Sequence, residues 1–333
     1  MISLVAATEH ALLVARHASQ WTVEEHLKSK SPESLAVDPG NPTRVFSGTS
    51  GSGLWRSDDA GRTWVPVGVG ISLAEITAVA VSSPEPGVVY AGTEPSAVFR
   101  SDNGGETWTE LSGLQTLPSA PTWSFPPRPE THHVRWIETD PAVAGRAFVA
   151  IEAGALVRTL DGGRTWLDRA RGGPIDTHTA ATHKMAPDRL YSAAGDGYFE
   201  SADAGDSWTR SVQGLHHRYL VGVAVDPADP DTVIVSAASS PFVAYRPRNA
   251  EAYVYRKTAG RPFELAMEGL PHSRGSTVSR FTTHPDERGV IYAANNHGLF
   301  RSPDAGRTWK ALEVPGPQRA FAHGVDALTC VPE

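Results

Sequence analysis

The chain has 333 residues, among them 31 glycines and 26 prolines, and 40% of its residues are hydrophobic. This excess of turn-forming residues argues against a long-helix or coiled-coil protein, and nine tryptophans argue against a disordered chain. A net charge of −7 disfavours a nucleic-acid partner, and Cys330, the single cysteine, excludes an intramolecular disulfide.

The N-terminal segment predicts strands rather than a targeting sequence. It lacks a basic start, its apolar run is broken by Glu9 and His10, and the sequence contains no stretch of about 18 apolar residues that could span a bilayer. We therefore expect a cytoplasmic protein with no membrane partner. Residues 3–8, 11–19 and 20–27 are predicted to form three successive strands.

From residue 56 onward the sequence repeats a nine-residue motif. The copies are RSDDAGRTW ending at Trp64, RSDNGGETW at Trp108, RTLDGGRTW at Trp166, ESADAGDSW at Trp208, YRKTAGRPF at Phe263 and RSPDAGRTW at Trp309. Ser, Thr and Asp side chains bond backbone N–H groups in tight turns, and glycine adopts positive φ there. Copies without a long insertion between them lie 42 to 46 residues apart, which is the length of a four-stranded propeller blade.

Two strand-like segments precede each copy, so the six copies predict six blades. The three N-terminal strands and residues 325–332 supply the seventh, which would close the ring and protect the sheet edges. The predicted fold is therefore all-β: a seven-bladed β-propeller of four-stranded antiparallel blades, the last closed by the N- and C-terminal strands, in a single domain 1–333. The predicted blades are 33–72, 75–115, 133–172, 177–214, 219–270, 277–315, and 324–333 with 1–28.

The motif resembles the Asp-box, or BNR-type, repeat of the sialidase-like propellers, and the resemblance covers nearly the whole chain. Such repeats occur in sialidases, xyloglucanases, sortilin-like receptors and photosystem assembly factors, so the resemblance implies a fold more than a function. In that superfamily the repeat lies on the face away from the catalytic sites. This implies structural roles for four acids of the repeat: Asp59, Asp161, Asp203 and Asp304. The early Arg-Ile-Pro segment of sialidases is absent here.

Histidines gather at the predicted opposite rim, where the loops before each first strand meet the turns between strands two and three. His132 and His133 precede blade three, His178 opens blade four, His217 precedes blade five, and Glu152 lies in a rim turn. Imidazole is a common transition-metal ligand and a general base near neutral pH. We predict that His133, His178 and Glu152 are catalytic, and that His132, His133, His178 and His217 hold one divalent transition metal. Solvated or strand-capping histidines are the alternative.

Two insertions map to the same rim. Residues 115–131 are rich in proline and predict a stiff loop in which Trp123 and Phe125 form an apolar wall over the pocket. Residues 239–252 carry Arg246, which together with Arg135 is predicted to bind a substrate anion. Solvent-facing arginine side chains are the alternative.

These patterns favour a small-molecule enzyme, a lyase or hydrolase, with a His/Glu-lined pocket that can hold a metal. One alternative is a non-catalytic interaction propeller with an apolar patch around Trp123 and Phe125. A second is a sialidase-like glycoside hydrolase, which needs two carboxylates about 5–9.5 Å apart, with candidates Glu94, Glu152 and Asp196. The sequence leaves the substrate and the oligomeric state open.

Overall fold

The computed structural model of the protein describes residues 2–284, 286–315 and 320–332. It is all-β, with seven antiparallel sheets arranged as a seven-bladed β-propeller, which confirms the predicted fold. The predicted end points of the domain, residues 1 and 333, lie outside the described residues.

The strands are named in chain order. The closing blade begins with β1 Ile2–Ala7, β2 Leu12–His17 and β3 Trp21–His26. Blade one consists of β4 Pro32–Asp38, β5 Asn41–Thr49, β6 Gly53–Ser57 and β7 Val65–Val67, and blade two of β8 Ile76–Val81, β9 Val89–Thr93, β10 Val98–Ser101 and β11 Thr109–Glu110. Blade three contains β12 Val134–Thr139, β13 Ala147–Ile151 and β14 Ala155–Thr159. A single antiparallel bridge between Arg158 and Leu167 takes the place of a fourth strand in blade three.

Blades four to six and the C-terminal strand follow. They are β15 Thr177–His183, β16 Ala186–Ala194, β17 Gly197–Ser201, β18 Thr209–Arg210; β19 Tyr219–Asp226, β20 Asp229–Ala238, β21 Ala252–Lys257, β22 Glu264–Leu265; β23 Arg280–Thr283, β24 Ile291–Asn295, β25 Gly298–Ser302, β26 Lys310–Ala311; and β27 Ala327–Pro332. Short 3₁₀ turns cover Ser112–Thr116, Ala120–Thr122 and Pro241–Val243. Within the described ranges no helix is long and apolar enough to cross a membrane.

The hydrophobic core is divided among the spaces between neighbouring blades. One cluster packs Tyr90 and Val98 of blade two against Val134 and Val149 of blade three, and comparable clusters fill the spaces between the other neighbouring pairs. Each blade therefore buries both faces against its neighbours, and strands such as β9 and β13 are accordingly buried along their whole length rather than at alternate residues.

Two glycines set the close approach of neighbouring blades near the axis. A Cβ at Gly48 would lie 2.3 Å from the carbonyl oxygen of Ile76, and one at Gly92 would lie 2.4 Å from the Val134 side chain. Only glycine leaves room for the next first strand at these positions.

The repeated nine-residue motif forms the turn after the third strand, and its acid is bonded within the turn. Asp304 accepts hydrogen bonds from the Ser302 hydroxyl at 2.9 Å, the Thr308 N–H at 2.9 Å and the Thr308 hydroxyl at 2.7 Å. The same contacts recur at the equivalent acids Asp59, Asp161 and Asp203. Each of these carboxylates therefore stabilises its own turn by accepting hydrogen bonds within it.

The first and last strands share one sheet. β27 pairs antiparallel with β1 from Ile2 opposite Pro332 to Ala7 opposite Ala327, and β2 and β3 complete the blade. Because this pairing closes the ring, the first strands of all seven blades surround one axial channel, and their loops meet at one rim.

Candidate functional site

A bulge near the start of the first strand directs side chains into the channel mouth. In blades one to four one residue is left out of the strand pairing: Glu33, Thr77, Arg135 and His178, respectively. All four line the upper part of the channel. Since a bulge re-aims the extra side chain, this shared irregularity gathers residues that lie far apart in sequence.

His133 and Glu152 form a tight pair at the rim of blade three. The imidazole Nε2 lies 2.9 Å from Oε2 of Glu152, and the Glu152 N–H donates to the His133 carbonyl at 3.2 Å. The other imidazole nitrogen, Nδ1, lies 3.7 Å from Oε2 of Glu94, whose carboxylate also accepts a 2.7 Å hydrogen bond from Arg128. One imidazole thus lies between two carboxylates.

Arg135 places a positive charge beside Glu152. Its Nε is 3.1 Å from Oε2 of Glu152, and among the described residues its terminal nitrogens donate no hydrogen bond. Burial alone would raise the pKa of Glu152, but Arg135 and the His133 hydrogen bond outweigh it and hold that pKa at about 2. Burial likewise opposes the charged form of Arg135, yet Glu152 raises the pKa of the guanidinium. Glu152 is therefore ionised at neutral pH.

His178 is fully buried beside this pair. Its Nδ1 donates to the Leu220 carbonyl at 2.6 Å, so in the neutral ring Nε2 presents a lone pair. Nε2 lies 3.2 Å from the Tyr219 hydroxyl, which is 3.0 Å from the Tyr245 hydroxyl. Burial lowers the pKa of His178 despite the neighbouring carboxylates, which favours the neutral imidazole.

The structure adds Asp176 to the residues predicted at this place. Its Oδ2 lies 3.7 Å from Nε2 of His178, while Oε1 of Glu152 lies 4.0 Å from the same nitrogen. Oδ1 of Asp176 accepts the Ala153 N–H at 2.9 Å. An acid two residues before His178 was the sequence signal that could have revealed it.

Two neighbouring cavities adjoin these groups. The axial one has a volume of about 260 Å³, and the other, of about 750 Å³, lies between the two insertions; Phe125, Glu152 and Tyr245 line both. The axial cavity is strongly charged, with lining residues Glu33, Ser50, Glu75, Thr77, Glu94, Phe125, Arg128, His133, Arg135, Glu152 and Tyr245. A cavity of this volume with so many charged groups is large enough for a small polar molecule.

Glu33 is the second carboxyl group that sequence reasoning missed. Burial raises its pKa to about 7; Arg135 lowers it, and the nearby acids, Glu94 among them, raise it further. Glu33 is therefore substantially protonated near neutral pH, in the same cavity as the ionised Glu152. The position of an acid at the start of a first strand was its only sequence signal.

Arg280 and Asp326 continue the charged lining deeper in the channel. Arg280 is only 8% exposed, and its Nε donates to the Val325 carbonyl at 3.2 Å. Burial and then the charge of Arg135 lower the pKa of Arg280. Burial raises the pKa of Asp326, whereas both arginines lower it. The channel below the site thus contains charged groups among apolar side chains such as Leu35 and Val79.

The two aromatic residues of the first insertion have different places. Phe125 lies edge-on to His133, with ring centroids 4.9 Å apart, and lines both cavities. The prediction for Trp123 was wrong, because this residue is 5% exposed and belongs to the core between blades two and three. Its indole N–H donates to the Ser119 hydroxyl at 3.0 Å, so it anchors the loop instead of lining the pocket.

Two of the predicted metal ligands lie apart from the converging groups. His132 packs edge-on against Trp123, and burial lowers its pKa. His217 stacks on Tyr253 with centroids 3.9 Å apart and its Nδ1 lies 2.6 Å from the Tyr255 hydroxyl. The four predicted histidines are therefore not one ligand set; in the part of the chain described, Glu152, Asp176 and His178 converge instead.

The remaining predicted groups are distributed between the two cavities and their surroundings. Arg246 is exposed and lines the larger cavity, away from Arg135 in the axial one. Glu94 lines the axial cavity. Asp196 lines neither cavity as described, and burial raises its pKa. Glu94 and Glu152 are thus the two predicted glycosidase carboxylates that the structure brings to one cavity.

No protein-family model and no curated protein matches the chain. Solved structures do match. The GH74 enzyme of Niastella koreensis is 18% identical with a TM-score of 0.71, covering 92% of this chain and 51% of its own. The GH74 xyloglucanase of Xanthomonas campestris is 17% identical with a TM-score of 0.68, covering 99% and 52%. YCF48 bound to D1 peptide is 15% identical with a TM-score of 0.58, covering 92% and 87%.

These likenesses establish a β-propeller fold. At such identities they carry no activity across to this chain, which spans about half the length of the GH74 structures.

Proposed function

We propose that the protein is a hydrolase of small polar substrates that bind in the axial cavity, with Glu33 as the proton donor. The observation that carries this proposal is the shared cavity of Glu33 and Glu152; burial raises the pKa of Glu33 to about 7, whereas Arg135 and His133 hold the pKa of Glu152 at about 2. Carboxyl groups whose environments separate their pKa values are a common basis for acid–base catalysis.

The other lining groups have roles that suit hydrolysis. The terminal nitrogens of Arg135 have no hydrogen-bond acceptor among the described residues, so they can bind a substrate oxygen or stabilise negative charge as it develops. Phe125 and Tyr245 provide apolar contact at the boundary of the two cavities. Glu33 would protonate the leaving-group oxygen while a second carboxylate activates water.

Glycosides are the substrate class we would test first. A protonated and an ionised carboxyl group in one cavity are what most glycoside hydrolases use, and Glu94 and Glu152 are the two candidates for the ionised partner. The likeness in fold to GH74 enzymes supports this choice.

The test compares unactivated oligosaccharides with the matching nitrophenyl glycosides. We expect Glu33→Gln to lower kcat/KM for unactivated substrates by about 10²–10⁴-fold and to affect nitrophenyl substrates far less, since nitrophenolate leaves without a proton. Glu138→Gln is the matched control, because burial also raises the pKa of Glu138 to about 7, but this carboxylate is hydrogen-bonded to Thr182 of the next blade. Equal effects on both substrate types in Glu33→Gln would refute the assignment.

A non-catalytic function is favoured by one separate observation. The larger cavity is walled by Pro126, Pro127 and Phe242, the last of which is 84% exposed. An extended peptide could lie in this cleft, and YCF48, similar in fold, has been solved with a peptide bound. This function predicts ligand binding that Phe242→Ala weakens and Glu33→Gln leaves unchanged.

A further inference from the structure

We propose that Glu152, Asp176 and His178 form a binding site for one divalent transition-metal ion, which we represent by Zn²⁺. The three residues come from two neighbouring blades: Glu152 follows β13, and Asp176 and His178 flank the start of β15. Each offers one ligand atom, and these atoms lie within 4.8 Å of one another. The site is additional to the proton donor Glu33 and does not depend on the reaction proposed above.

The distances suit a single ion. Zn²⁺ binds imidazole nitrogen and carboxylate oxygen at about 2.0–2.2 Å, so two atoms on one ion are at most about 4.3 Å apart. Nε2 of His178 lies 3.7 Å from Oδ2 of Asp176 and 4.0 Å from Oε1 of Glu152. Both distances lie within that limit, and the Asp176 and Glu152 side chains would move closer to Nε2 to reach tetrahedral spacing, which is about 3.4 Å at these bond lengths.

Each proposed ligand is fixed by a contact through its other polar atom. Nδ1 of His178 donates to the Leu220 carbonyl, which leaves the Nε2 lone pair for the ion. Oδ1 of Asp176 accepts the Ala153 N–H, and Oε2 of Glu152 is held by His133. Metal-binding histidines and carboxylates are commonly oriented in this way.

The local charge also favours the binding of a cation. Two carboxylates approach one imidazole that is fully buried, and Arg135, the nearby positive charge, lies on the Oε2 side of Glu152. A divalent ion would balance the pair of carboxylates from the opposite side. The Tyr219 hydroxyl, now 3.2 Å from Nε2, would leave that lone pair and keep its contact with Tyr245.

The site faces the larger cavity, because Glu152 and Asp176 both line it. An ion held by three protein ligands there would keep a coordination position open to water or to a substrate oxygen, which is the arrangement of catalytic rather than structural zinc. One imidazole and two carboxylates suit Zn²⁺, with Mn²⁺ or Co²⁺ as substitutes.

The experiment is a Zn²⁺ titration of chelator-treated, tag-free protein by calorimetry, with metal content measured in parallel. It uses a His10→Ala/His323→Ala background, because Glu9, His10 and His323 form an exposed group that could also bind metal. We expect one ion per chain. Asp176→Asn should weaken binding at least about 100-fold, whereas His217→Ala, which changes a rim histidine outside the site, should leave it unchanged.

Further variants and a Co²⁺ spectrum test the same metal site. Glu152→Gln is expected to weaken Zn²⁺ binding as Asp176→Asn does, and Co²⁺ should show the visible absorption of a four-coordinate site that both variants lose. His178→Gln removes a buried ring, so it is interpreted only if its circular dichroism is native. Absence of stoichiometric Zn²⁺, or undiminished binding by folded Asp176→Asn, would overturn the site, while the hydrolysis test of Glu33 would be unaffected.

Discussion

Glu33 and Arg135 occupy the same bulged position of the first strand, in blades one and three, and both side chains line the axial channel mouth. His178 and Thr77 hold this position in blades four and two. In blade five the position is Val221, which is buried beneath the second insertion. A single backbone irregularity therefore produces a charged side of the mouth and an apolar one.

The raised pKa of Glu33 predicts a pH-dependent stability with an unusual sign. In the folded protein this pKa is about 7, against 4.5 for a free glutamate side chain, so between these two values the folded state binds more protons than the unfolded state. Stability should consequently fall as pH rises from about 4.5 to 7, by about 2 kcal/mol after allowance for the partial exposure of Glu33. Glu33→Gln should remove this contribution and be the more stable protein at pH 8, as measured by urea unfolding.

The matched control for this prediction is Glu138. Burial raises its pKa to about 7 as well, so the wild-type curve contains both contributions. The difference between wild type and Glu33→Gln isolates Glu33, and Glu138→Gln should retain the part that Glu33 causes. Identical slopes in wild type and Glu33→Gln between pH 5 and 7.5 would contradict the assignment.

The sequence predicted the ring because each copy of the repeated motif marks one blade. Trp64 and Trp108 lie 44 residues apart and Trp166 and Trp208 lie 42 apart, each nearly the length of one blade, and the strand pairing of β1 with β27 followed from the missing first strand. The repeated turn motif is sufficient to predict the blades, since each blade is stabilised by contacts with neighbours that have the same sequence pattern.

The site was only partly predictable. The clustering of histidines at one rim pointed to His133, His178 and Glu152, whereas Glu33 and Asp176 looked like ordinary acids in loops. Their proximity depends on bulges, which a pattern of alternating residues does not show. Trp123 was misplaced for a related reason: an aromatic residue in a loop can close over the core as readily as over a pocket.

The repeated turn predicts that two substitutions of Asp304 lower the stability of the protein to different extents. Asn103 takes the place of the aspartate in blade two and still accepts the Thr107 N–H at 3.0 Å, so Asp304→Asn should be tolerated. Asp304→Ala removes the acceptors of Ser302 and Thr308 and should cost about 1–2 kcal/mol of unfolding free energy. Thermal unfolding of the two variants side by side measures the difference. Equal losses would show that the charge, not the hydrogen bonding, is what matters.

Cys330 provides a probe of ring closure. It is 5% exposed on β27, where it packs between blades six and seven, and burial raises the pKa of its thiol to about 12. A thiol reagent should therefore react with native protein far more slowly than with protein in denaturant, because the thiolate is the reactive form. Substituting Leu328, its neighbour in the same core, by aspartate should open the closing sheet and expose the thiol without denaturant. Fast labelling of the native wild type would argue against the closed blade.

The Glu152–Arg135 pair predicts strong coupling between two substitutions. Both groups are largely buried, so Glu152→Gln leaves the guanidinium uncompensated and should cost about 3 kcal/mol at pH 7. Arg135→Met in the same chain removes that charge, and the double variant should be less destabilised than the sum of the single variants. The pKa of Glu152 is held at about 2, below the 4.5 of a free glutamate side chain, so this stabilisation is complete above about pH 4.5 and is lost as pH falls toward 2. Urea unfolding of the four proteins at pH 7, repeated at pH 3 on the wild type and Glu152→Gln, tests both statements; strictly additive losses at pH 7 would mean that the two side chains do not interact in solution.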